Sequence, residues 1–396
     1  MTRSKIGSVL ISVFIFLICV LFPPLLSAEE VIDNDYGYSL DLPEGFGVAE
    51  YTHDGMSYRF FHDKLPVNLI LKLYANNQFN SSEEALSTTL NKLSANYEID
   101  LLEWRNTDCA ISSFEMKLPN TKDSSKGWSV GVALPQKNAH LVLLCYADSQ
   151  KASDCEQFII SVLNSLAIDR GSFYSPGIIT TYAFPRNNPK NVSVSIGGKN
   201  IKTQIDADDN IANQFVVDCE FAVMSLYAND KNWVKAWQRY YRAIYRDSYG
   251  RLKKVAFDIN AQIEPIIKKS DNQEFAIDEL LLNWVQNFDY KRDNSKKTSS
   301  DFTNLIDTFL GGGSDCDSRS MLMCVLLKNI GIDSVLFVSR EYSHAVYGAD
   351  INSWGAKIKV EGKEYLLGET TAKDIKPGLI AKEFSDTSKW IPIVFP

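Results

Sequence analysis

"GGGSDCDSRSMLMCVLLKNIGIDSVLFVS", residues 311–339, runs from a glycine-rich turn through a helical pattern into a strand. Three glycines, Ser314 and Asp315 make a polar turn that delivers Cys316 to the start of a helical run. Met321, Cys324, Val325 and Leu327 recur at helical spacing, Asn329-Ile330-Gly331 stops the run, and "DSVLFVS" follows as a strand. The free N–H groups and dipole at a helix amino end stabilise a thiolate, so the position predicts an activated Cys316. Its polar flanks suit an accessible thiol better than half of a disulfide, whereas Cys324 faces inward and reads as core.

Downstream, "HAVYGAD" is a strand opening on His344, and "GAKIKVEGKEYLLGET" is a hairpin ending at Glu369. His344 lies 28 residues after Cys316 and is the sole histidine beyond position 140; Glu369 lies a further 25 residues on. A thiol, an imidazole that takes its proton and a carboxylate that orients the ring are the parts of a nucleophilic site. Upstream, "AIDELLLNWVQNFDYKRD" is a helix with Ile277, Leu280, Leu281, Trp284, Val285 and Phe288 on its apolar side, followed by the lysine-rich "KRDNSKKTSSD".

These motifs together, over residues 276–372, resemble the transglutaminase-like superfamily, a papain-like fold with chain order Cys, His, Asp. The resemblance implies acyl transfer through a thioester, with Cys316 as nucleophile, His344 as base and then acid, and Glu369 fixing the ring. By analogy with papain-like enzymes, Gln286 is the candidate oxyanion donor beside the Cys316 backbone N–H. Three positions depart from the family pattern: Ser314 where glycine is usual, Val346 where tryptophan is frequent, and Glu369 where aspartate is usual. The implied function is a protease, amidase or transglutaminase acting on a protein or peptide substrate. The alternative is a non-catalytic cell-envelope binding or scaffold protein that keeps the fold without turnover.

The 396-residue chain begins with Arg3 and Lys5, an apolar run from Val9 to Phe22, Pro23-Pro24 and a small-residue site ending at Ala28. That layout predicts an export signal over 1–28 and a secreted or periplasmic protein; the run is short for a span of roughly 20 residues, so a retained anchor is the lesser reading. Removing Arg3 and Lys5 takes the formal charge from -8 to -10, without the basic excess that nucleic-acid binding requires. No later segment reads as a membrane span. Few histidines and no Cys-x-x-Cys spacing leave no metal site or cofactor to expect. Pairing among Cys109, Cys145, Cys155 and Cys219 stays open at this point.

Composition and patterning divide the rest into an amino-terminal α/β sandwich over 29–172, a linker and β-hairpin over 173–210, a helical segment over 211–275 and the carboxyl-terminal domain over 276–396. The expected fold class is multidomain α+β. The first domain alternates β-rich runs with two helices, the first capped by Ser82, and resembles the PsbP-like α/β/α sandwich, which would leave it as a module for envelope proteins. "DADDN", residues 206–210, lacks the glycine and glutamate of a calcium loop and reads as a solvated turn. Trp233, Trp237, Tyr241, Ile244 and Tyr245 recur at offsets of three and four; a ligand platform is conceivable, but the periodicity favours a buried helix face. Arg239, Arg242, Arg246 and Arg251 then fall on the other face as salt-bridge partners.

Overall fold

The computed structural model describes residues 30–117, 123–134, 136–292 and 300–396; the expected export signal over 1–28 and most of the lysine-rich loop lie outside them. The chain is a multidomain α+β protein. Its amino-terminal part holds β1 (Glu30–Asp33), β2 (Tyr38–Asp41), β3 (Phe46–Tyr51), β4 (Ser57–His62), β5 (Val67–Tyr74), helix α1 (Ser82–Lys92), β6 (Asn96–Trp104), β7 (Thr107–Met116), β8 (Ser125–Leu134), β9 (Ala139–Asp148), helix α2 (Glu156–Asn164) and β10 (Leu166–Ala167). Strands β3 to β9 make one antiparallel seven-stranded sheet in the order β3-β4-β5-β9-β8-β7-β6.

The period-two pattern of β9 shows why this sheet is covered on both sides. Leu141, Leu143 and Cys145 face the core under α2, while Val142, Leu144 and Tyr146 face the core under α1. Helix α1 sits so close to β8 that a side chain at Gly131 would meet the Ser82 carbonyl at 2.7 Å. The cap of α1 is Ser81, which accepts from Glu84 N–H, and not Ser82, whose hydroxyl donates to the Asp108 carbonyl. Cys109, Cys145, Cys155 and Cys219 share one core and all are free thiols.

Helix α3 (Ile178–Ala183) leads to a hairpin of β11 (Pro189–Ile196) and β12 (Lys199–Asp206), turned by Gly197 and Gly198 at φ 56° and 76°. Helices α4 (Asp209–Ser225) and α5 (Trp233–Ile267) follow, then α6 (Gln273–Gln286), α7 (Leu305–Leu310) and α8 (Cys316–Asn329). The last sheet is antiparallel, in the order β15-β16-β14-β13-β17, from β13 (Ser334–Ser339), β14 (His344–Ala349), β15 (Lys357–Val360), β16 (Lys363–Gly368) and β17 (Ile391–Val394). Among the described residues no helix is long and apolar enough to cross a membrane.

Helix α8 is enclosed by α5, α6, α7 and the strands β13 and β14. Every residue from Ser318 to Leu327 is therefore buried, not only the apolar side that the spacing marks out. The long helix α5 joins the two halves of the molecule. Arg239 donates to Glu220 and to the Asp41 carbonyl, Arg242 pairs with Asp41, and Arg251 pairs with Asp247 and Asp209. Arg246 departs from the expected salt bridge: it donates to the Ser175, Asn164 and Leu166 carbonyls, and burial pushes its guanidinium down to about 10. "DADDN" is not a solvated turn either, because Asp206 and Asp209 are buried and Asp209 is the acceptor for both Arg186 and Arg251.

Asp278 on α6 is fully buried; its Oδ1 accepts from Tyr347 at 2.6 Å and its Oδ2 has no partner among the described residues. Burial is the main force that raises its carboxyl from 3.8 to about 7. The folded chain thus holds a proton that the unfolded chain releases, so stability falls as pH rises from about 4 to 7, by about 4 kcal/mol in total. Asp278→Asn cannot ionise, and its urea midpoint should lack that share of the decline. Parallel midpoint curves for the two proteins between pH 4 and 8 would refute the assignment.

Candidate active site

Each side chain of the site is delivered by the end of an element. Gly311, at φ 82°, terminates α7, and Gly313, at φ 86°, turns the chain into α8. Asp315 caps α8: its carboxylate accepts from the Ser318 hydroxyl at 2.8 Å and faces the Ser318 N–H. Cys316 is thus the first residue of α8, and its backbone N–H has no intrahelical acceptor. His344 is the first residue of β14, preceded by Ser343 in a left-handed turn at φ 48°. Glu369 directly follows β16, the neighbour of β14 in the sheet.

The structure brings His344 and Glu369 together, with Nε2 to Oε2 at 2.7 Å. Glu369 Oε1 accepts from the Thr371 N–H and hydroxyl at 2.8 and 2.7 Å. Burial works to raise the Glu369 carboxyl, but the His344 ring and Thr371 outweigh it and hold the group below its ordinary value. A carboxylate on Nε2 requires a proton there, so the neutral ring presents its lone pair at Nδ1. Phe384 stacks on the imidazole at 4.8 Å and 25°, and Trp390 lies 6.4 Å away, fixing the ring plane.

Cys316 and His344 line one cleft of about 240 Å3. Asp315, Cys316 and Asp317 line it from the start of α8, and Val338, Ser339, Arg340, Ser343, His344 and Ala345 line it from around the β13–β14 turn. Phe221, Met224, Trp237, Tyr240 and Tyr241, from α4 and α5, form the other side. The buried-face reading of the aromatic set therefore holds for Tyr241, Ile244 and Tyr245, which are buried, but Trp237 is half-buried and belongs to the cleft. Periodicity identifies an apolar face without saying what lies opposite it.

The lowered thiol expected from the helix end is not what the site provides. Cys316 is 6% exposed, and burial pushes its thiol up, followed by the charges of Asp317 and Asp315; an Ala345 backbone hydrogen bond and Arg292 act in the opposite sense. Asp317 is itself raised by burial and by Asp315, and it accepts from the Tyr241 hydroxyl at 2.8 Å. The environment of Cys316 thus favours the neutral thiol over the thiolate. A thiolate here would need a base to take the proton, and the His344 ring lines the same cleft.

Gln286 is not an oxyanion donor in this structure. Its side chain is buried, it is absent from the cleft lining, and Nε2 donates to the Glu369 carbonyl at 2.7 Å and the Ile375 carbonyl at 2.8 Å, using both amide protons. It anchors the loop that carries Glu369. Arg319, one turn along α8 and also buried, was missed by sequence reasoning: it reaches Ser314 Oγ at 3.2 Å and the Thr370 and Phe288 carbonyls at 3.3 and 2.8 Å. It ties the cysteine turn to the acid loop. Among the described residues no cluster of ligating side chains suits a metal ion.

No family model matches the chain, and no curated protein is significantly similar to it. Solved structures similar to parts of it include the Ran-binding protein Mog1p of Saccharomyces cerevisiae, at 12% identity and TM-score 0.28, covering 37% of this chain and 97% of that one. The cyanobacterial PsbP of Synechocystis matches at 9% identity and TM-score 0.28, over 35% and 90% of the two chains. A protein of Cytophaga hutchinsonii provisionally named a cysteine protease matches at 11% identity and TM-score 0.22, over 84% and 77%. A PsbP-like fold is thus among the structural neighbours of this chain, at low identity; likenesses this distant carry no argument about its chemistry.

Proposed function

We propose that the protein is an exported thiol enzyme of transglutaminase-like type that acts on amide bonds of proteins or peptides. The observation that carries this reading is the His344–Glu369 pair, whose hydrogen bond leaves Nδ1 as the basic atom in the cleft that also holds Cys316. The Cys316 proton passes to His344 as Sγ attacks the amide carbonyl carbon; the C–N bond then breaks and His344 returns the proton to the leaving amine. Water, or a second amine, attacks the carbonyl carbon of the resulting thioester with its proton taken by His344; the C–S bond then breaks and His344 returns that proton to Sγ, which restores the thiol. Water is the default acceptor, which favours hydrolysis over crosslinking. The Cys316 backbone N–H is one donor for the oxyanion.

A second reading, a non-catalytic binding or scaffold protein of the cell envelope, draws support from the buried thiol flanked by Asp315 and Asp317. The two separate on alkylation of the reduced chain with iodoacetamide at pH 7. If the protein is an enzyme, Cys316 is expected to be modified ahead of the other buried cysteines and faster than a free-thiol peptide. A rate at Cys316 no greater than that of the peptide would overturn the catalytic reading.

A further inference from the structure

The cleft wall furnished by α4 and α5 points to the kind of acyl donor it would hold. The cleft, at about 240 Å3, falls below the roughly 300–1,000 Å3 of pockets that enclose whole small molecules, and suits one bulky side chain of a longer chain. Met224 and Trp237 are half-buried, so they offer apolar surface to that space, and Tyr240 and Tyr241 back them from the core. Both tyrosines are fixed by their hydroxyls, Tyr240 on Ser300 and Tyr241 on Asp317, and leave only ring surface.

The charged groups around the cleft are unequal. Asp301 pairs with Arg292, Asp317 receives the Tyr241 hydroxyl, and Asp315 receives Ser318. Arg340 is exposed, lies over the Trp233 ring at 5.3 Å, and has no carboxylate within ion-pairing distance among the described residues. Trp233 in turn packs against Trp237 at 5.8 Å, so Arg340 sits at the rim of the apolar wall. A guanidinium held on an aromatic face with its N–H edge free is suited to receive a carboxylate.

We infer that the helical segment and the β13–β14 turn together build the acyl-donor subsite: Met224 and Trp237 receive an apolar side chain, and Arg340 receives a neighbouring carboxylate. The substrate class is then a polypeptide in which a hydrophobic residue adjoins an acidic one at the attacked amide. This rests on the thiol-enzyme reading above. The accessory helices thereby become part of the recognition site of the carboxyl-terminal domain.

The test uses the full reduced chain and peptidyl vinyl sulfones, which capture a thiolate without turnover, alongside iodoacetamide. Wild-type protein is expected to react at least about tenfold faster with a leucine or phenylalanine probe than with a glycine probe, as a filled apolar pocket provides. A glutamate neighbour should give a rate roughly threefold to fivefold above a glutamine neighbour, the range of an exposed ion pair. In Met224→Lys the first ratio should collapse towards one, and in Arg340→Gln the second. Because each readout is a ratio within one protein, a general loss of reactivity cancels. Fast iodoacetamide labelling with equal rates for all peptidyl probes would overturn the substrate inference and leave the enzyme reading intact. Slow labelling by every reagent would remove both.

Discussion

Iodoacetamide labelling of Cys316 at pH 7 is expected to fall at least about a hundredfold in His344→Ala, the lower end of what a positioned general base contributes. The argument follows from burial. A thiol raised by desolvation and by Asp317 and Asp315 has almost no thiolate of its own at neutral pH, so its reactivity depends on a partner able to take the proton. On the proposed reading that partner is Nδ1 of His344, since Nε2 is committed to Glu369 and the ring lines the same cleft. Glu369→Gln should lie between wild type and His344→Ala: a glutamine can still touch the ring, but it no longer supplies the negative charge that stabilises the imidazolium. Glu369 is held below its ordinary value, so it is already ionised at pH 7 and should add no inflection to the rate profile near neutrality. If His344→Ala labels as fast as wild type, Cys316 and His344 are neighbours without a shared proton.

The three catalytic candidates were legible because each stands at a boundary between elements, where sequence signals are strongest. A capping aspartate and glycines mark the start of α8, a polar turn marks the start of β14, and the acid follows the apolar end of the β15–β16 hairpin. What surrounds them was not legible. Gln286 meets the Glu369 carbonyl across 83 positions of sequence, and Phe384 and Trp390 reach His344 from a segment with no motif. The same limit explains Cys316 itself. A helix amino end lowers a thiol that water can reach, but whether water reaches it depends on α4 and α5 closing over the turn, which no local pattern encodes. Asp209 shows the error in reverse: an acidic run looks solvated until a distant arginine is brought to it.

That arginine carries the largest stability effect to be expected in the chain. Arg251 is 1% exposed and grips Asp247 with two N–H groups, at 2.7 and 2.9 Å, while a third reaches Asp209 at 2.8 Å. Burial alone would lower its guanidinium, but the two carboxylates outweigh it and raise it, so the group is charged at any pH at which the protein is folded. Asp247 also accepts from Asn213, whose own side-chain oxygen accepts from the Leu305 N–H, so the network fastens α4 and α5 to the start of α7. Arg251→Met fills the space but leaves the buried Asp247 without its cation and Asp209 with Arg186 alone, and should cost about 3–5 kcal/mol in urea unfolding. The double variant Arg251→Met, Asp247→Asn removes the stranded charge and should recover part of that loss, a non-additivity that simple loss of packing would not produce. A loss under about 1 kcal/mol in the single variant would mean that water reaches the pair and that α7, and with it the turn bearing Cys316, is held by apolar packing alone.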